Sequence, residues 1–200
     1  MEFGPGPSVL VGANGNGKSN LIEAVHRVAT GGSYRAANDA PLVRRDASAA
    51  YIRVGLDTDA GRRRTVELEL RPGKGSRSQV DGAPVRRTSD AVGVLRAVLF
   101  APEDLAIVRG DPSERRRFLD ELLGQRRPAY AAARSEYERA LRQRNRLLRT
   151  AHLARGTAIE TLDAWTTQLA RHGALLVAAR AAAVTALAGP VSAWLSLIHI

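Results

Sequence analysis

The stretch Gly12-Ala13-Asn14-Gly15-Asn16-Gly17-Lys18-Ser19 decides the fold class of this 200-residue chain. Its spacing is G-x-x-x-x-G-K-S, the pattern of a phosphate-binding loop that lies between a strand and a helix. Residues 8–11 (Ser-Val-Leu-Val) predict a short buried strand before the loop, and apolar residues recur at helical spacing from Lys18 to about Ala29 after it. The sequence therefore predicts an α/β P-loop NTPase fold.

Each residue type in the loop suits a nucleoside triphosphate. Glycines allow backbone conformations in which peptide N–H groups approach phosphate oxygens. We expect Lys18 to reach the β- and γ-phosphates and Ser19 to bind Mg²⁺, so the predicted cofactors are ATP and magnesium. The predicted nucleotide-binding residues are Gly12, Ala13, Asn14, Gly15, Asn16, Gly17, Lys18 and Ser19, with Ser19 as the metal ligand.

Beyond the loop, the first 110 residues are rich in strand signals. Residues 51–56 and 65–70 alternate in polarity and predict a hairpin, and Asp81-Gly82 predicts a second tight turn after Gln79-Val80. Residues 96–100 (Arg-Ala-Val-Leu-Phe) predict a further, buried strand. We expect residues 1–110 to form a partial ATPase lobe with a mixed sheet.

After about residue 110 the pattern becomes helical. Asp111-Pro112 and Pro128 are favourable helix starts, and a third apolar-faced helix is predicted from about Ala158 to Leu187. We therefore expect a mostly α-helical lobe over residues 111–194. Residues 195–200 (Leu-Ser-Leu-Ile-His-Ile) break the Ala/Arg-rich style of the chain and are predicted to be a non-native tail.

Composition excludes some functions and leaves others open. The chain has no cysteine, so disulfides and thiolate metal sites are excluded. No leader opens the chain and no uncharged run is judged long enough to span a bilayer, so a cytoplasmic protein without a membrane partner is expected. The net charge is +10, but 28 of the 30 basic residues are arginine. That bias is typical of GC-rich coding sequence, so the charge indicates either a polyanion partner or genome composition.

The residues needed for hydrolysis are not evident. A competent site needs a second carboxylate on magnesium and a group that positions water. The nearest candidates, Glu103 and Asp104, follow a proline at the start of a helix, where capping is the favoured role. No catalytic residue is predicted, and whether this chain is an enzyme stays open.

Several segments together resemble the RecF family of DNA replication and repair ATPases. They are the loop and its helix (residues 12–24) and residues 30–35, 100–105, 108–112 and 114–120. The resemblance implies an ABC-type ATPase head that dimerises around ATP and binds single-stranded and gapped double-stranded DNA. It also implies RecO- and RecR-type partners, loading of RecA, a role in the SOS response, and Arg35 as a weaker candidate for contact near the nucleotide. The family's first strand and its later carboxylate and signature motifs find no match, so the chain is expected to be truncated at both ends.

A basic stripe offers a candidate surface for DNA. From Arg109 to Arg155 there are 13 arginines against 6 acidic residues, and Arg139, Arg142, Arg146 and Arg149 share one helical face. A solvated helix face explains the same pattern. Two other function classes share the phosphate loop: the nucleotide-binding subunit of an ABC transporter and a small-molecule kinase.

Overall fold

The computed structural model describes residues 1–36, 38–58, 61–150 and 157–198. It divides into two compact units. The first comprises Met1–Ala91 with Ala97–Leu99, and the second comprises Val92–Arg96 with Phe100–Ile200. Each unit is described by itself below, and the predicted boundary at residue 110 stays a prediction.

The first unit combines one helix with a small antiparallel sheet. Helix α1 (Lys18–Thr30) follows the phosphate loop and ends at Gly31, whose N–H donates to the carbonyl of Arg27 at 3.1 Å. The sheet has the order β1-β2-β3-β4. Its strands are β1 (Ala50–Asp57), β2 (Arg63–Leu70), β3 (Arg77–Val80) and β4 (Ala83–Pro84). Both predicted hairpins are confirmed.

The strand register follows from the alternation of apolar and polar residues. Ile52 pairs with Leu68 and Val54 with Val66, so the apolar side chains of β1 and β2 share one face. At the second turn, Asp81 and Gly82 both have positive φ, 53° and 78°, as a two-residue turn that matches the strand twist requires. The apolar core of this unit comes mainly from α1 and β2, with Val28, Ala29, Val66, Leu68 and Leu70 buried.

Two predicted strands are wrong in the described part of the chain. Neither residues 8–11 nor residues 96–100 belong to a β-ladder. Val9, Val11, Val98 and Phe100 are between 83% and 93% exposed. A strand is defined by hydrogen bonds to a neighbour, and the sheet described here is wholly antiparallel and does not include these segments. Their apolar composition predicted burial, which the structure does not show for these four residues, because no neighbouring strand pairs with either segment in the described part of the chain.

The second unit is helical. After a short 3₁₀ turn (Pro102–Asp104) come α2 (Leu105–Arg109), α3 (Pro112–Arg126), α4 (Pro128–Thr150) and α5 (Thr157–Ile198). The helix starts predicted from Asp111-Pro112 and Pro128 are confirmed. Helix α5 runs well past the predicted end at Leu187 and contains Pro190 in its interior. Residues 195–198 continue that helix, and their non-native origin stays a prediction.

Helix α5 also corrects the expectation about membrane-length segments. Within Thr161–Leu197 an 18-residue window has a mean hydropathy of 1.7, and 6% of that window is buried. By length and composition this helix is apolar enough to cross a membrane. That expectation was wrong because residues 181–198, a run of 18, contain no charged side chain. A single such helix is weak evidence for a membrane protein.

Candidate nucleotide-binding site

The phosphate loop ends at the N-terminus of α1 in the geometry that its glycines allow. Gly15 and Gly17 have φ of 89° and 81°, the left-handed region that other residues rarely adopt. Gly17 precedes the helix as its N-cap, and its carbonyl accepts the first helical hydrogen bond, from Leu21 N–H at 3.0 Å. A further bond from Asn16 N–H to the carbonyl of Ala13 (3.3 Å) closes a turn within the loop. The loop is therefore a compact turn that leads directly into the helix.

Lys18 folds back over this loop. Its ammonium donates to the carbonyls of Gly12 and Ala13 at 2.7 and 2.8 Å. These bonds are solvent-exposed and bring the charge of the side chain beside the peptide groups of the loop. Since a protonated amine has three donors, one N–H remains to meet a phosphate oxygen.

The electrostatics of this helix start favour an anion. The first N–H groups of any α-helix have no partner inside the helix, and the helix dipole makes this end positive. The first turn of α1 contains no acidic residue that would offset this potential. Asn14, Asn16 and Ser19 are exposed, so their amides and hydroxyl are accessible to a ligand and its metal ion. The eight predicted residues thus lie in one turn and the start of α1, with the side chains of Asn14, Asn16 and Ser19 exposed, and their contact with nucleotide stays a prediction.

A polar network behind the helix was missed by the sequence analysis. Glu23 is buried on α1 and accepts a hydrogen bond from the hydroxyl of Ser33. Arg35, predicted as a weaker nucleotide contact, lies with its guanidinium 3.8 Å from the Glu23 carboxylate and is about half exposed. This places Arg35 at the edge of α1, where its contact with nucleotide stays a prediction.

A second pair fixes the loop that follows α1. Arg27, also buried, donates through Nε and Nη2 to the two carboxylate oxygens of Asp39, both at 3.1 Å, and Ser76 donates to the same carboxylate at 2.5 Å. Burial opposes ionisation of Asp39, but the hydrogen bonds from Arg27 and Ser76 and the charge of Arg27 outweigh it and lower its pKa. The sequence did contain a signal for this polar network, because the charged residues Glu23 and Arg27 lie on the same face of α1 as apolar residues.

Cavities lie on two sides of α1. One, of about 470 Å³, is lined by Asn20, Glu23 and Arg35 together with residues of β1. The other, of about 590 Å³, is lined by Lys18 and Ser19 and by the two segments that were predicted as strands. The second cavity is mostly apolar apart from its end at the loop. The end of the phosphate loop therefore adjoins this second cavity, which the exposed residues Val9 and Val98 also line.

Carboxylates that would support hydrolysis are not gathered in the described residues. Among them there is no group of three or more His, Asp or Glu side chains that could hold a metal ion. Asp104 accepts a hydrogen bond from Ala101 N–H at 2.7 Å and so caps the 3₁₀ turn, as the sequence predicts. The prediction that Ser19 is the metal-binding side chain remains a prediction.

The arginine stripe lies on the solvent side of α4. Arg139, Arg142, Arg146 and Arg149 are all exposed. Arg139 lies 3.8 Å from Glu136 and Arg142 lies 3.9 Å from Glu138. Exposed pairs of this kind contribute little to stability, so an anionic partner would displace Glu136 from Arg139 and Glu138 from Arg142 at small cost.

Comparison with known proteins defines the class first. The family model described as an AAA domain matches residues 1–167. Since this match covers most of the chain and includes the loop geometry above, the chain belongs to the AAA-domain class of P-loop ATPases.

The particular family follows from individual relatives. The chain is 52% identical to the DNA replication and repair protein RecF of Kineococcus radiotolerans over 193 residues, 95% of this chain and 49% of the relative. It is also 52% identical to RecF of Streptomyces avermitilis over 192 residues, 94% of this chain and 51% of the relative. Within the class, the chain belongs to the RecF family, as its motifs predict.

Solved structures agree. The structure of the recombination mediator protein RecF with ATP, described as part of the RecFOR pathway, has a TM-score of 0.75 at 27% identity and covers 86% of this chain and 46% of its own. The structure with ATPrS has a TM-score of 0.73, again at 27% identity, and covers 87% and 47%. The chain thus spans about half the length of the relatives that it matches.

Proposed function

We propose that this chain is the part of a RecF-type DNA replication and repair protein that binds ATP with Mg²⁺. The observation that carries the proposal is the loop itself: left-handed glycines, an N-terminal helix end without acidic residues, and a lysine ammonium held at the loop by two carbonyls. These features together form an anion site for a polyphosphate.

The residues fit a bound magnesium nucleotide. Peptide N–H groups of residues 12–19 would hold the phosphates, Lys18 would neutralise the β- and γ-phosphates, and the Ser19 hydroxyl would be one magnesium ligand. Magnesium supplies charge neutralisation of the phosphates and keeps most of its water ligands. Among the described residues no group of three or more His, Asp or Glu side chains could hold a metal ion, and we assign no catalytic residue to this chain.

The DNA-binding part of the proposal rests on α4. Its exposed arginines repeat at three- and four-residue intervals, which suits contact with successive backbone phosphates without reading base sequence. We assign single-stranded and gapped double-stranded DNA as the ligand in the complete protein. Cooperation with RecO- and RecR-type proteins, RecA loading and the SOS response follow the same proposal, as do an ATP-dependent homodimer and a cytoplasmic location.

The lysine content of the chain provides a matched control for the test of nucleotide binding. Lys18 and Lys74 are the two lysines of the chain, and Lys74 is exposed at the turn between β2 and β3. Lys18→Ala is expected to abolish binding of a fluorescent ATP analogue in the presence of Mg²⁺, while Lys74→Ala binds as the unmodified chain does. Near-normal affinity in the Lys18 variant, with its helical circular dichroism intact, would overturn the proposal.

A transporter ATPase subunit is the alternative that shares the loop. Such a subunit works with a membrane partner and has no need of DNA. ATP-dependent retention on gapped duplex DNA by a full-length version of the gene distinguishes the two. Retention that is lost when ATP is omitted supports the repair function, and ATP binding without any retention supports the alternative.

A further inference from the structure

The sheet of the first unit has an apolar face and an outer face, and the outer face presents an aromatic ring to solvent. Exposed residues alternate with half-buried ones along β1, and Tyr51 is 77% exposed. Its hydroxyl donates at 3.3 Å to the carboxylate of Glu69, which lies directly opposite on β2. The ring is therefore held at the surface with most of its area accessible.

Two arginines lie further along the same row of the outer face. The register pairs Glu69 with Arg77 of β3. Beyond β4 the pairing continues, since the N–H of Val85 donates to the carbonyl of Ser78 at 3.0 Å. That register brings Arg86 opposite Arg77. Because residues that are directly opposite share a face, the row consists of a tyrosine, a glutamate and two arginines in order across the strands.

The charges of this row are unbalanced. Glu69 lies 3.8 Å from Nε of Arg71, so its negative charge already has a partner. In the part of the chain that the structure describes, no ion pair includes Arg77, Arg86 or Lys74, which is exposed at the β2–β3 turn. Like charges that are directly opposite destabilise a sheet. An anion bound by both arginines would relieve that repulsion.

The adjacent row of the same face is balanced. There Arg53 lies 3.0 Å from Glu67, and the residues that follow across the strands, Gln79 and Pro84, are uncharged. The excess of positive charge thus begins at the row that contains Arg77, close to the β2–β3 turn.

A depression of about 400 Å³ lies beside the tyrosine ring. Its lining includes Ser48, Tyr51, Arg71 and Lys74. Its volume is within the range of sites that hold small organic ligands. The depression therefore offers an aromatic ring and two cations within one small volume.

This combination of groups suits a single strand of nucleic acid. Aromatic rings stack on unpaired bases while cations hold the backbone phosphates, whereas the bases of a duplex are stacked inside the helix. Tyr51 and Arg77 are two strand spacings apart, about 10 Å, which a flexible backbone can bridge. Helix α4 offers arginines without such a ring, because Tyr130 is buried and Tyr137 half-buried.

We propose that the outer face of the sheet at Tyr51, Arg77 and Arg86 binds single-stranded DNA, with a base stacked on the tyrosine and phosphates held by the two arginines. The proposal deepens the DNA-binding part of the proposed function and rests on it. It assigns the single strand to the first unit, whereas the arginines of α4 belong to the second.

The stacking half of the proposal is tested with a fluorescein-labelled oligothymidylate and fluorescence anisotropy. Tyr51→Ala removes the ring at an exposed position and should weaken binding by roughly 5- to 150-fold, the usual effect of losing one stacked base. Tyr51→Phe keeps the ring and removes only the bond to Glu69, so it should bind as the unmodified chain does. Equal affinity of the alanine variant and the unmodified chain would overturn the proposal.

The phosphate half is tested by the salt dependence of the same binding. Arg77→Gln with Arg86→Gln should reduce the slope of log affinity against log salt by about 1.4, since each phosphate contact on a single strand contributes about 0.7. Arg62→Gln with Arg63→Gln makes the same change of charge at exposed positions beside the β1–β2 turn and should leave the slope unchanged. Equal changes in the two double variants would mean that net charge, and not this face, holds the strand.

A duplex probe of the same length separates the remaining outcomes. Tyr51→Ala should leave duplex binding unchanged, and an equal loss with both probes would overturn the assignment to a single strand. Failure of the proposed function has a different result, because the unmodified chain would then bind neither probe and both proposals would be wrong. If the unmodified chain binds the single strand and neither the Tyr51→Ala variant nor the Arg77 and Arg86 variant changes that binding, only the assignment to this face is wrong.

Discussion

The phosphate loop and the Asp120 cluster use polar groups in opposite ways. In the loop, glycine N–H groups, the Ser19 hydroxyl and the Lys18 ammonium are accessible to solvent, and the lysine bonds only to exposed carbonyls of the loop. In the cluster, which Asp120 on α3 forms with Tyr130 on α4 and Arg180 on α5, Asp120 is buried and accepts hydrogen bonds from both partners. Arg134 Nε lies 3.7 Å from the same carboxylate. Polar groups that remain open to a ligand mark a binding site, whereas groups that satisfy one another inside a helix interface hold the scaffold in place.

The largest effect on stability is expected when the Asp120 cluster, whose polar groups bond to one another, is broken. Asp120→Ala leaves Arg180 half-buried and Tyr130 buried without their shared acceptor, so we expect a loss of about 3–5 kcal/mol in the free energy of unfolding. Urea denaturation followed by circular dichroism measures it. The matched control Asp163→Ala removes an exposed acid from α5 and should change stability by less than about 0.5 kcal/mol. Equal effects of the two substitutions would contradict the role of the cluster.

A large effect on binding is expected from the loop glycines. Gly17→Val forces a β-branched residue to adopt φ of 81°, so the loop is expected to leave the conformation in which we propose that its N–H groups meet the phosphates. Backbone strain of roughly 1–2 kcal/mol and a lost charge-assisted bond together predict ATP binding weaker by about 100-fold or more.

Its control is a glycine of the same conformation elsewhere. Gly73, with φ of 73°, lies in the turn between β2 and β3. Gly73→Val should lower the unfolding temperature by a comparable strain and leave the ATP dissociation constant unchanged. Loss of binding in both variants would indicate a general folding defect rather than a phosphate site.

A smaller, pH-dependent effect is expected from Asp39. Its pKa is lower in the folded protein than the ordinary value of 3.8, so its pairing with Arg27 stabilises the fold above that pH and is lost as pH falls through the folded-state pKa. Wild type should therefore be more stable than Asp39→Asn near neutrality, and the difference should shrink as pH falls below 3.8. Asp46→Asn, in an exposed loop, serves as the control. A gap between wild type and Asp39→Asn that stays constant down to the lowest pH would contradict the assignment.

The smallest effect is expected on the arginine stripe, because each guanidinium contributes only one exposed contact. Arg142→Glu with Arg146→Glu should reduce the slope of log affinity for duplex DNA against log salt by about two, one for each lost phosphate contact. Arg44→Glu with Arg45→Glu makes the same change of charge at exposed positions in the first unit. If both double variants alter the slope equally, net charge rather than the stripe determines DNA binding.

The features that sequence could predict are those encoded over a few consecutive residues. The loop, the turn at Asp81-Gly82 and the helix start at Pro112 each depend on backbone preferences of glycine, aspartate or proline. Features that depend on distant partners were not predicted. Asp120 and Arg180 are 60 positions apart, and nothing near either residue indicates the other.

The wrong strands have the same physical origin. The mostly apolar segments 8–11 and 96–100 favour burial in a sheet, but whether they form strands depends on a neighbouring strand, and the described residues provide none for them. The end of α5 was misplaced because Gly189-Pro190 reads locally as a helix stop, whereas the helix continues through it. At Gly189-Pro190 the local preference for a helix end was outweighed. At residues 8–11 and 96–100 the local preference for a strand found no neighbouring strand with which to pair.

The most direct test of the central claim is a competition of ATP, ADP and AMP against a fluorescent ATP analogue on the unmodified chain, with Mg²⁺ present. Because we propose that the loop and Lys18 hold the phosphates beyond the first, we expect ATP and ADP to displace the analogue and AMP to displace it far less. Equal displacement by all three nucleotides, or by none of them, would contradict a phosphate loop at residues 12–19.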